Sequence, residues 1–202
     1  MTTGTLANRV DAVVIGASAG GIEALLTVLP ALARRPTAPI FIVVHLPRDR
    51  ASLLANLFGA RCRIPVVEAE DKMPIEAGTI YFAPSDYHLL LEKGPSLALS
   101  ADDLVNYSRP SIDVLFESAV DVYGARLAAI ILTGANKDGA AGFAAVGRAG
   151  GVTIAQDPAT AFVSTMPLAA LARAGAEFVM SPEAIAALLQ TLDVPVAGKV
   201  TA

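Results

Sequence analysis

The stretch VIGASAGGIEALL, residues 14–26, predicts a buried strand, a tight turn of small residues and a helix, in that order. Its central GASAG fits the G-x-S-x-G pattern of a nucleophile elbow, which presents a serine between a strand and a helix. The same glycines also suit a loop that cradles a phosphate. The turn alone therefore leaves two functions open, and the remainder of the chain has to separate them.

Further continuous apolar runs follow along the chain, without alternating polar residues. Segments in which apolar residues recur at helical spacing separate these runs. Predicted strands cover residues 13–15, 41–44, 66–67, 79–82, 127–132, 152–155 and 178–179, and predicted helices cover 20–33, 52–58, 111–123, 139–149, 168–174 and a last one opening at Ser181. HLLLEKGPSLALS, residues 88–100, predicts an antiparallel hairpin around a Gly-Pro turn. Strands of this kind, separated by helices, are typical of α/β folds. We predict a doubly wound, mostly parallel sheet with an antiparallel hairpin and helices on both faces.

Length and composition limit the class of protein. The chain has 202 residues, 54% apolar and 17% charged, with a net charge of −4, which predicts one globular domain over 1–202 with its core at about 11–192. The charge and the few aromatic residues argue against a nucleic-acid partner. No signal peptide or bilayer-spanning run is visible, so we expect no membrane insertion. The single cysteine, Cys62, cannot form an internal disulfide, and the expected location is cytoplasmic.

Three polar residues lie in loops that follow predicted strands. Ser18 follows the first strand, His45 the second, in IVVHLP, and Asp138 lies in TGANKDGAAG after residues 127–132. Ligands of open α/β sheets bind outside the carboxyl ends of the strands, so these loops are expected at one rim. Together they supply a Ser-His-Asp triad of nucleophile, base and orienting acid. The N–H of Ala19 would then point at a developing oxyanion from the start of the helix.

Other interpretations of these residues remain open at this point. Dinucleotide binding would need a glycine at Ser18 and an acid where His45 stands, and the chain has no P-loop lysine. Asp157, which also follows a strand, is an alternative acid, and His88 is the only other histidine. Ser18 and Asp138 also suit helix N-caps, and His45 suits a packed structural role. No grouping has metal-ligand spacing, so no metal is predicted.

Seven segments carry a resemblance along nearly the whole chain, from about residue 13 to 189. They are IGASAGG, VVHLP, YFAPSDYHLLL, RPSIDVLF, ILTGANKDGAAG, AGGVTIAQDPATAFVSTMP and EFVMSPEAI. In this order they resemble the catalytic domain of the chemotaxis protein-glutamate methylesterase family, CheB. The resemblance implies a doubly wound α/β fold and hydrolysis of γ-glutamyl methyl esters on the cytoplasmic helices of chemoreceptors, with deamidation of some receptor glutamines. It implies Ser18, His45 and Asp138, rather than Asp157, as the triad, and no cofactor.

The chain also departs from the family pattern. Ala19 stands where many members have threonine, and Ala135 where many have methionine, beside the implied oxyanion site. Tyr107 and Ser108 precede Arg109, which is kept and is expected to border the substrate groove. The departures at Ala19 and Ala135 motivate an alternative, a weak or inactive chemosensory interaction module of the same fold.

A further departure concerns regulation. The catalytic strand begins within about a dozen residues of Met1, so no receiver domain is expected, since one needs on the order of a hundred residues. Three alternatives follow. The enzyme is constitutively active, it is controlled by a separate response-regulator or kinase partner, or it belongs to a chemosensory pathway other than motility.

Overall fold

The structure is a computed structural model, and it describes residues 5–6, 8–32, 36–46, 53–94 and 96–193. Four residues of the predicted elements and motifs lie outside the described ranges. They are the predicted start of a helix at Ser52, the predicted end of the first helix at Ala33, the last residue of the VVHLP segment, Pro47, and the proline of the predicted hairpin turn, Pro95.

A seven-stranded, fully parallel sheet forms the centre of the molecule. Its strands are β1 (Ala12–Ala17), β2 (Ile40–Val44), β3 (Val66–Glu68), β4 (Ile80–Phe82), β7 (Leu127–Ile131), β8 (Val152–Gln156) and β9 (Phe178–Met180). Their order in the sheet is β3-β4-β2-β1-β7-β8-β9. The residues of β1, β2, β7 and β8 are all buried, as expected for strands covered on both faces. The predicted α/β class is confirmed.

The predicted hairpin forms a separate two-stranded antiparallel sheet. Its strands are β5 (His88–Leu91) and β6 (Leu97–Ser100), with His88 opposite Ser100. It packs on one face of the molecule beside α3 (Ile112–Tyr123), α4 (Ala140–Arg148) and α5 (Thr165–Ala174). The opposite face carries α1 (Gly21–Val28), α2 (Leu54–Gly59) and α6 (Pro182–Leu189). Two apolar cores result, one on each side of the sheet.

Helix boundaries differ from the prediction where prolines intervene. Helix α1 ends at Val28 because Pro30 has no N–H with which to continue the helical hydrogen bonds. Helix α5 begins at Thr165, three residues earlier than predicted, because Pro167 lies in the first turn, where its missing N–H costs nothing. Helix α6 begins as predicted, with the Ser181 hydroxyl accepting the N–H of Ala184 at 3.4 Å. In the described ranges, no helix is long and apolar enough to cross a membrane.

Strand register determines what meets at the carboxyl edge of the sheet. Strand β1 lies between β2 and β7, with Ala17 paired to Val44 and Gly16 to Ile131. The next residues of these three strands therefore come together at one rim, as the chain order of the motifs predicts. The candidate site lies at this rim.

Candidate active site

The elbow around Ser18 connects β1 to α1. The N-cap residue of α1 is Gly20, in the left-handed conformation with φ 76°, so Ser18 is not the N-cap. An added Cβ at Gly20 would lie 2.5 Å from Cβ of Phe162, so glycine is required here on two grounds. The Ser18 hydroxyl makes no hydrogen bond within the described part of the chain. Its side chain is therefore free to turn toward a substrate or a base.

His45 lies beside Ser18 at the end of the neighbouring strand. Its N–H donates to the Ala17 carbonyl at 3.1 Å, which continues the β1–β2 ladder past the last paired residues. Its ring Nε2 lies 2.9 Å from Oδ2 of Asp138, and its side chain is 12% exposed. The structure thus brings His45 and Asp138 into direct contact. Ser18 adjoins them in the ladder, but no hydrogen bond joins its hydroxyl to His45 among the described residues.

Asp138 is fully buried and saturated with hydrogen-bond donors. These are His45 Nε2, Asn106 Nδ2, Ser111 Oγ and the backbone N–H groups of Ile112 and Asp113, at 2.6–3.3 Å. Burial by itself raises the pKa of this carboxyl, but the bonds from His45, Asn106, Ile112 and Ser111 outweigh it and hold the pKa below its usual value. Asp138 is therefore ionised in the resting site, as an acid that orients a histidine must be.

Asn136 fixes the tautomer of His45. Its Oδ1 accepts the N–H of Asp138 at 3.1 Å, which directs its Nδ2 toward His45 Nδ1 at 3.3 Å. Since that amide nitrogen can only donate, Nδ1 carries a lone pair and Nε2 carries the proton given to Asp138. The basic nitrogen of the ring is thus Nδ1. Nothing in the spacing of GANKDG indicated this contact, although Asn136 is only two residues from Asp138.

Two backbone donors are available near the elbow. Neither the Ala19 N–H nor the Ala135 N–H donates a hydrogen bond among the residues that the structure describes. Thr133 braces this region from the neighbouring strand. Its carbonyl accepts the Ser18 N–H at 3.0 Å, and its hydroxyl lies 2.8 Å from the Ala19 carbonyl and accepts the Val163 N–H at 2.9 Å. Free N–H groups on a braced turn are what an oxyanion site requires.

Arg109 lines a small cavity of about 70 Å³ beside His45, together with Leu46 and Tyr107. Its guanidinium is already engaged: it donates to Asp86 at 2.9 and 3.0 Å and to the backbone carbonyls of residues 101 and 102 at 2.6 and 2.9 Å. Arg109 therefore ties the segment before α3 to the loop before β5. Its charge is largely committed to this structural task.

The other candidates from the sequence have structural roles. Asp157 caps the short turn Pro158–Thr160 by accepting the Ala159 N–H at 2.9 Å. His88 is 2% exposed, and its Nδ1 accepts the Ser111 N–H while Nε2 lies 3.1 Å from the Asp103 carbonyl. Within the described ranges, no cluster of His, Cys, Asp or Glu side chains is arranged to hold a metal ion.

Comparison with known proteins identifies the family of this chain. The family model described as CheB methylesterase matches residues 13–189. The chain belongs to the CheB methylesterase family. The catalytic domain of Thermotoga maritima CheB methylesterase is similar in structure, with a TM-score of 0.87 and 34% sequence identity, covering 91% of this chain and 98% of that one.

Two relatives show that the matched region is nearly the whole of one protein and half of another. A Leptospira interrogans protein, provisionally named protein-glutamate methylesterase/protein-glutamine glutaminase, is 44% identical over 183 residues, 91% of this chain and 95% of its own length. Protein-glutamate methylesterase/protein-glutamine glutaminase 2 of Caulobacter vibrioides is 40% identical over 173 residues, 84% of this chain but half of its own length. The resemblance first drawn from seven short motifs is confirmed.

Proposed function

We propose that this chain is a serine hydrolase that demethylates glutamate methyl esters on chemoreceptor proteins and deamidates receptor glutamines, the two activities in its relatives' names. The observation that carries the proposal is the His45–Asp138 hydrogen bond of 2.9 Å, beside Ser18 at the carboxyl edge of the sheet. A histidine held by a buried, ionised carboxylate next to a free serine hydroxyl is suited to nucleophilic catalysis.

In the first half of the reaction, Ser18 Oγ attacks the ester carbonyl of the methylated glutamate. His45 Nδ1 takes the serine proton, and Asp138 stabilises the imidazolium through Nε2. The N–H groups of Ala19 and Ala135 hold the oxyanion of the tetrahedral intermediate. His45 then gives its proton to the departing methoxy oxygen. Methanol leaves, and the glutamyl group remains esterified to Ser18.

The second half regenerates the enzyme. A water molecule gives a proton to His45 Nδ1 and attacks the Ser18 ester, and the returning proton restores the serine hydroxyl. The product is a free glutamate side chain. A glutamine substrate follows the same steps with ammonia as the leaving group. Every proton passes through Nδ1, because Nε2 stays bonded to Asp138.

The substrate is a protein side chain rather than a small molecule. The elbow is bordered by exposed residues, with Phe162 81% and Tyr107 93% exposed, and the cavity at His45 is only about 70 Å³. A site of this shape accepts a side chain presented from a larger surface. We assign that surface to the methylated cytoplasmic helices of a chemoreceptor, which places the enzyme in the cytoplasm.

Substitution of Ser18 by alanine tests the proposal. We expect Ser18→Ala to abolish methanol release from methylated receptor while thermal unfolding stays within a few degrees of wild type. Ser96→Ala is the matched control, because Ser96 bonds to Glu92 in the hairpin, far from the elbow, and should keep full activity. Methanol release by Ser18→Ala at the wild-type rate would refute the proposal.

Labelling with a serine-directed fluorophosphonate tests the nucleophile independently of any receptor. We expect one adduct, located at Ser18 by mass spectrometry, in folded wild-type protein. A folded protein that forms no adduct would instead be the inactive interaction module. Asp138→Asn should slow labelling by about 10³- to 10⁴-fold, whereas Asp157→Asn, at the alternative acid, should label at the wild-type rate.

A further inference from the structure

Two neighbouring helices exchange their capping groups across the site. Helices α3 and α4 have Ser111 and Gly139 as N-cap residues, and neither cap makes a side-chain hydrogen bond to its own helix. Asp138, just before α4, accepts the first N–H groups of α3 at 2.6 and 3.3 Å. Asp113, in the first turn of α3, accepts the N–H of Gly142 in α4 at 2.7 Å. Each carboxylate thus stabilises the positive end of the other's helix.

A single side-chain amide joins these two carboxylates. Asn106 Nδ2 donates to Asp113 Oδ2 at 2.8 Å and to Asp138 Oδ1 at 2.8 Å. Both of its hydrogens are used, and since both partners are carboxylate oxygens, the nitrogen of the amide has to be the atom that faces them. Asn106 belongs to an exposed loop and adopts a left-handed conformation with φ 51°, which asparagine tolerates better than most residues.

From this geometry we infer that Asn106 is a positioning residue of the enzyme, holding Asp138 in line with His45 through its amide and neutralising part of the charge of Asp138. The inference rests on the proposed Ser18-His45-Asp138 triad. Asn106 does not touch the reacting atoms. It acts through Asp138, and Asp113 anchors it from the opposite side.

Two physical effects follow when the amide is removed. Asp138 and Asp113 then face each other without the bridging donor, so the Asp138 carboxylate stays beside the His45 ring but loses the fixed angle of its 2.9 Å bond. The remaining charge of Asp138 is also less neutralised, so it stabilises the imidazolium of His45 more strongly. The first effect lowers kcat, and the second moves the acidic limb of the kcat/KM profile to higher pH. Removal of the amide does not alter substrate binding, so we expect KM to keep its wild-type value.

Asparagine-to-glycine substitutions at two left-handed positions test the inference. Asn106→Gly removes the amide and keeps the backbone conformation accessible. Asn8→Gly is the matched control, because Asn8 is exposed and has φ 63° at a distant turn. With methylated receptor, we expect Asn106→Gly to lower kcat about tenfold, to leave KM within twofold, and to raise the acidic limb. Asn8→Gly should match wild type. An unchanged kcat and pH profile, or a raised KM at unchanged kcat, would overturn the inference.

Asn106→Asp is a second test of the inference, and it does not require the loop to tolerate a glycine at position 106. It keeps the shape of the side chain but places a third carboxylate against the other two. We expect the acidic limb to move higher than in Asn106→Gly, since added negative charge stabilises the imidazolium further. If the acidic limb of the kcat/KM profile in this variant stays at its wild-type pH, the inference is overturned as well.

The proton on His45 Nε2 provides a readout that needs no substrate. In protein labelled with ¹⁵N-histidine, we expect its NMR resonance to move in Asn106→Gly and to keep the wild-type position in Asn8→Gly. Identical resonances in wild type and Asn106→Gly would overturn the inference. Failure of wild type to release methanol, in contrast, counts against the proposed function and leaves this resonance test in force.

Discussion

The amide nitrogen of Asn136 lies 3.3 Å from Nδ1 of His45, on the side of the ring opposite Asp138. Because the Asn136 carbonyl oxygen is held by the Asp138 N–H at 3.1 Å, the three residues form a closed ring of hydrogen bonds. This ring leaves the lone pair of the imidazole on Nδ1, which is the nitrogen that would accept the Ser18 proton in the proposed reaction. In that reaction Ser18 and Asn136 would compete for the same lone pair.

Asn136→Asp should shift the pH dependence of the reaction. The new carboxylate would face Nδ1 while Asp138 faces Nε2, so the imidazolium gains a second acceptor and the base loses its free lone pair. We expect the acidic limb of kcat/KM to move to higher pH, with a loss of on the order of tenfold at pH 7. Lys137→Gln is the control, since it also makes this loop one charge more negative. Equal shifts in both variants would attribute the effect to the general field.

Asp138 should also contribute to stability in a pH-dependent way. Its folded-state pKa lies below the ordinary carboxyl value, so its contribution is present above about pH 4 and is lost as the pH falls through the folded pKa. We expect Asp138→Asn to lower the free energy of unfolding by about 1–3 kcal/mol at pH 7, because donors in a buried site lose their acceptor. In urea titrations at decreasing pH, this difference should narrow below pH 4. A difference that stays constant down to pH 2 would contradict the assignment.

Asp113 also affects the free energy of unfolding in these titrations, but its contribution changes with pH in the opposite direction to that of Asp138. Burial, together with the charge of Asp138, raises its pKa above the usual value, although bonds from Gly142 and Asn106 partly oppose this. Its ionisation therefore costs stability as the pH rises through its raised pKa. The comparison between wild type and Asp138→Asn has to be made at matched pH for this reason.

The sheet and the two polar residues at the ends of its adjacent strands could be read from the sequence, because buried strands and the rule for strand ends leave few alternatives. Ser18 and His45 are adjacent for that reason alone. Asp138 is different, because Asp157 also follows a strand and the sequence pattern does not decide which of the two carboxylates contacts His45. Only the structure separates them: Asp138 is buried and accepts the first N–H groups of α3, whereas Asp157 caps a short turn. The order of residues in the chain does not reveal these hydrogen bonds.

Contacts made by loops were beyond prediction. Asn106 reaches Asp138 across 32 positions of sequence, and His88 reaches Ser111 across 23. No periodicity relates such pairs, since they depend on how the segment before α3 is folded rather than on its composition. Arg109 was expected to border the substrate groove, and only the structure reveals how fully Asp86 and two carbonyls occupy its guanidinium.

Thr133→Val should separate the bracing of the elbow from general stability. The change keeps the side-chain shape but leaves the Val163 N–H without its acceptor and removes the contact with the Ala19 carbonyl. We expect a loss of about 1–2 kcal/mol in unfolding free energy and a roughly tenfold lower kcat because the Ala19 N–H loses its fixed direction. Thr153→Val is the control, since its hydroxyl accepts the Glu177 N–H at the opposite edge of the sheet. It should lose stability alone; equal losses of kcat would refute the role of Thr133.

Gly20→Ala should impair the elbow more than its effect on backbone freedom explains. At φ 76° an alanine is strained, and its Cβ would also lie 2.5 Å from Cβ of Phe162, so the turn has to move away from the loop that carries Phe162. Gly150→Ala is the matched control, because Gly150 has φ 82° and an added Cβ there would lie 3.6 Å from Cβ of Ala125, an ordinary contact distance.

Both Gly20→Ala and Gly150→Ala should therefore lose about 1 kcal/mol of unfolding free energy from their positive φ alone, as urea unfolding would measure. Only Gly20→Ala should lose fluorophosphonate labelling of Ser18, by about tenfold or more, since displacement of the turn misdirects the nucleophile. If Phe162→Ala restores labelling in the Gly20→Ala background, the clash is the cause. Labelling of Gly20→Ala at the wild-type rate would mean that the elbow tolerates movement, and that Phe162 does not hold Ser18 in place.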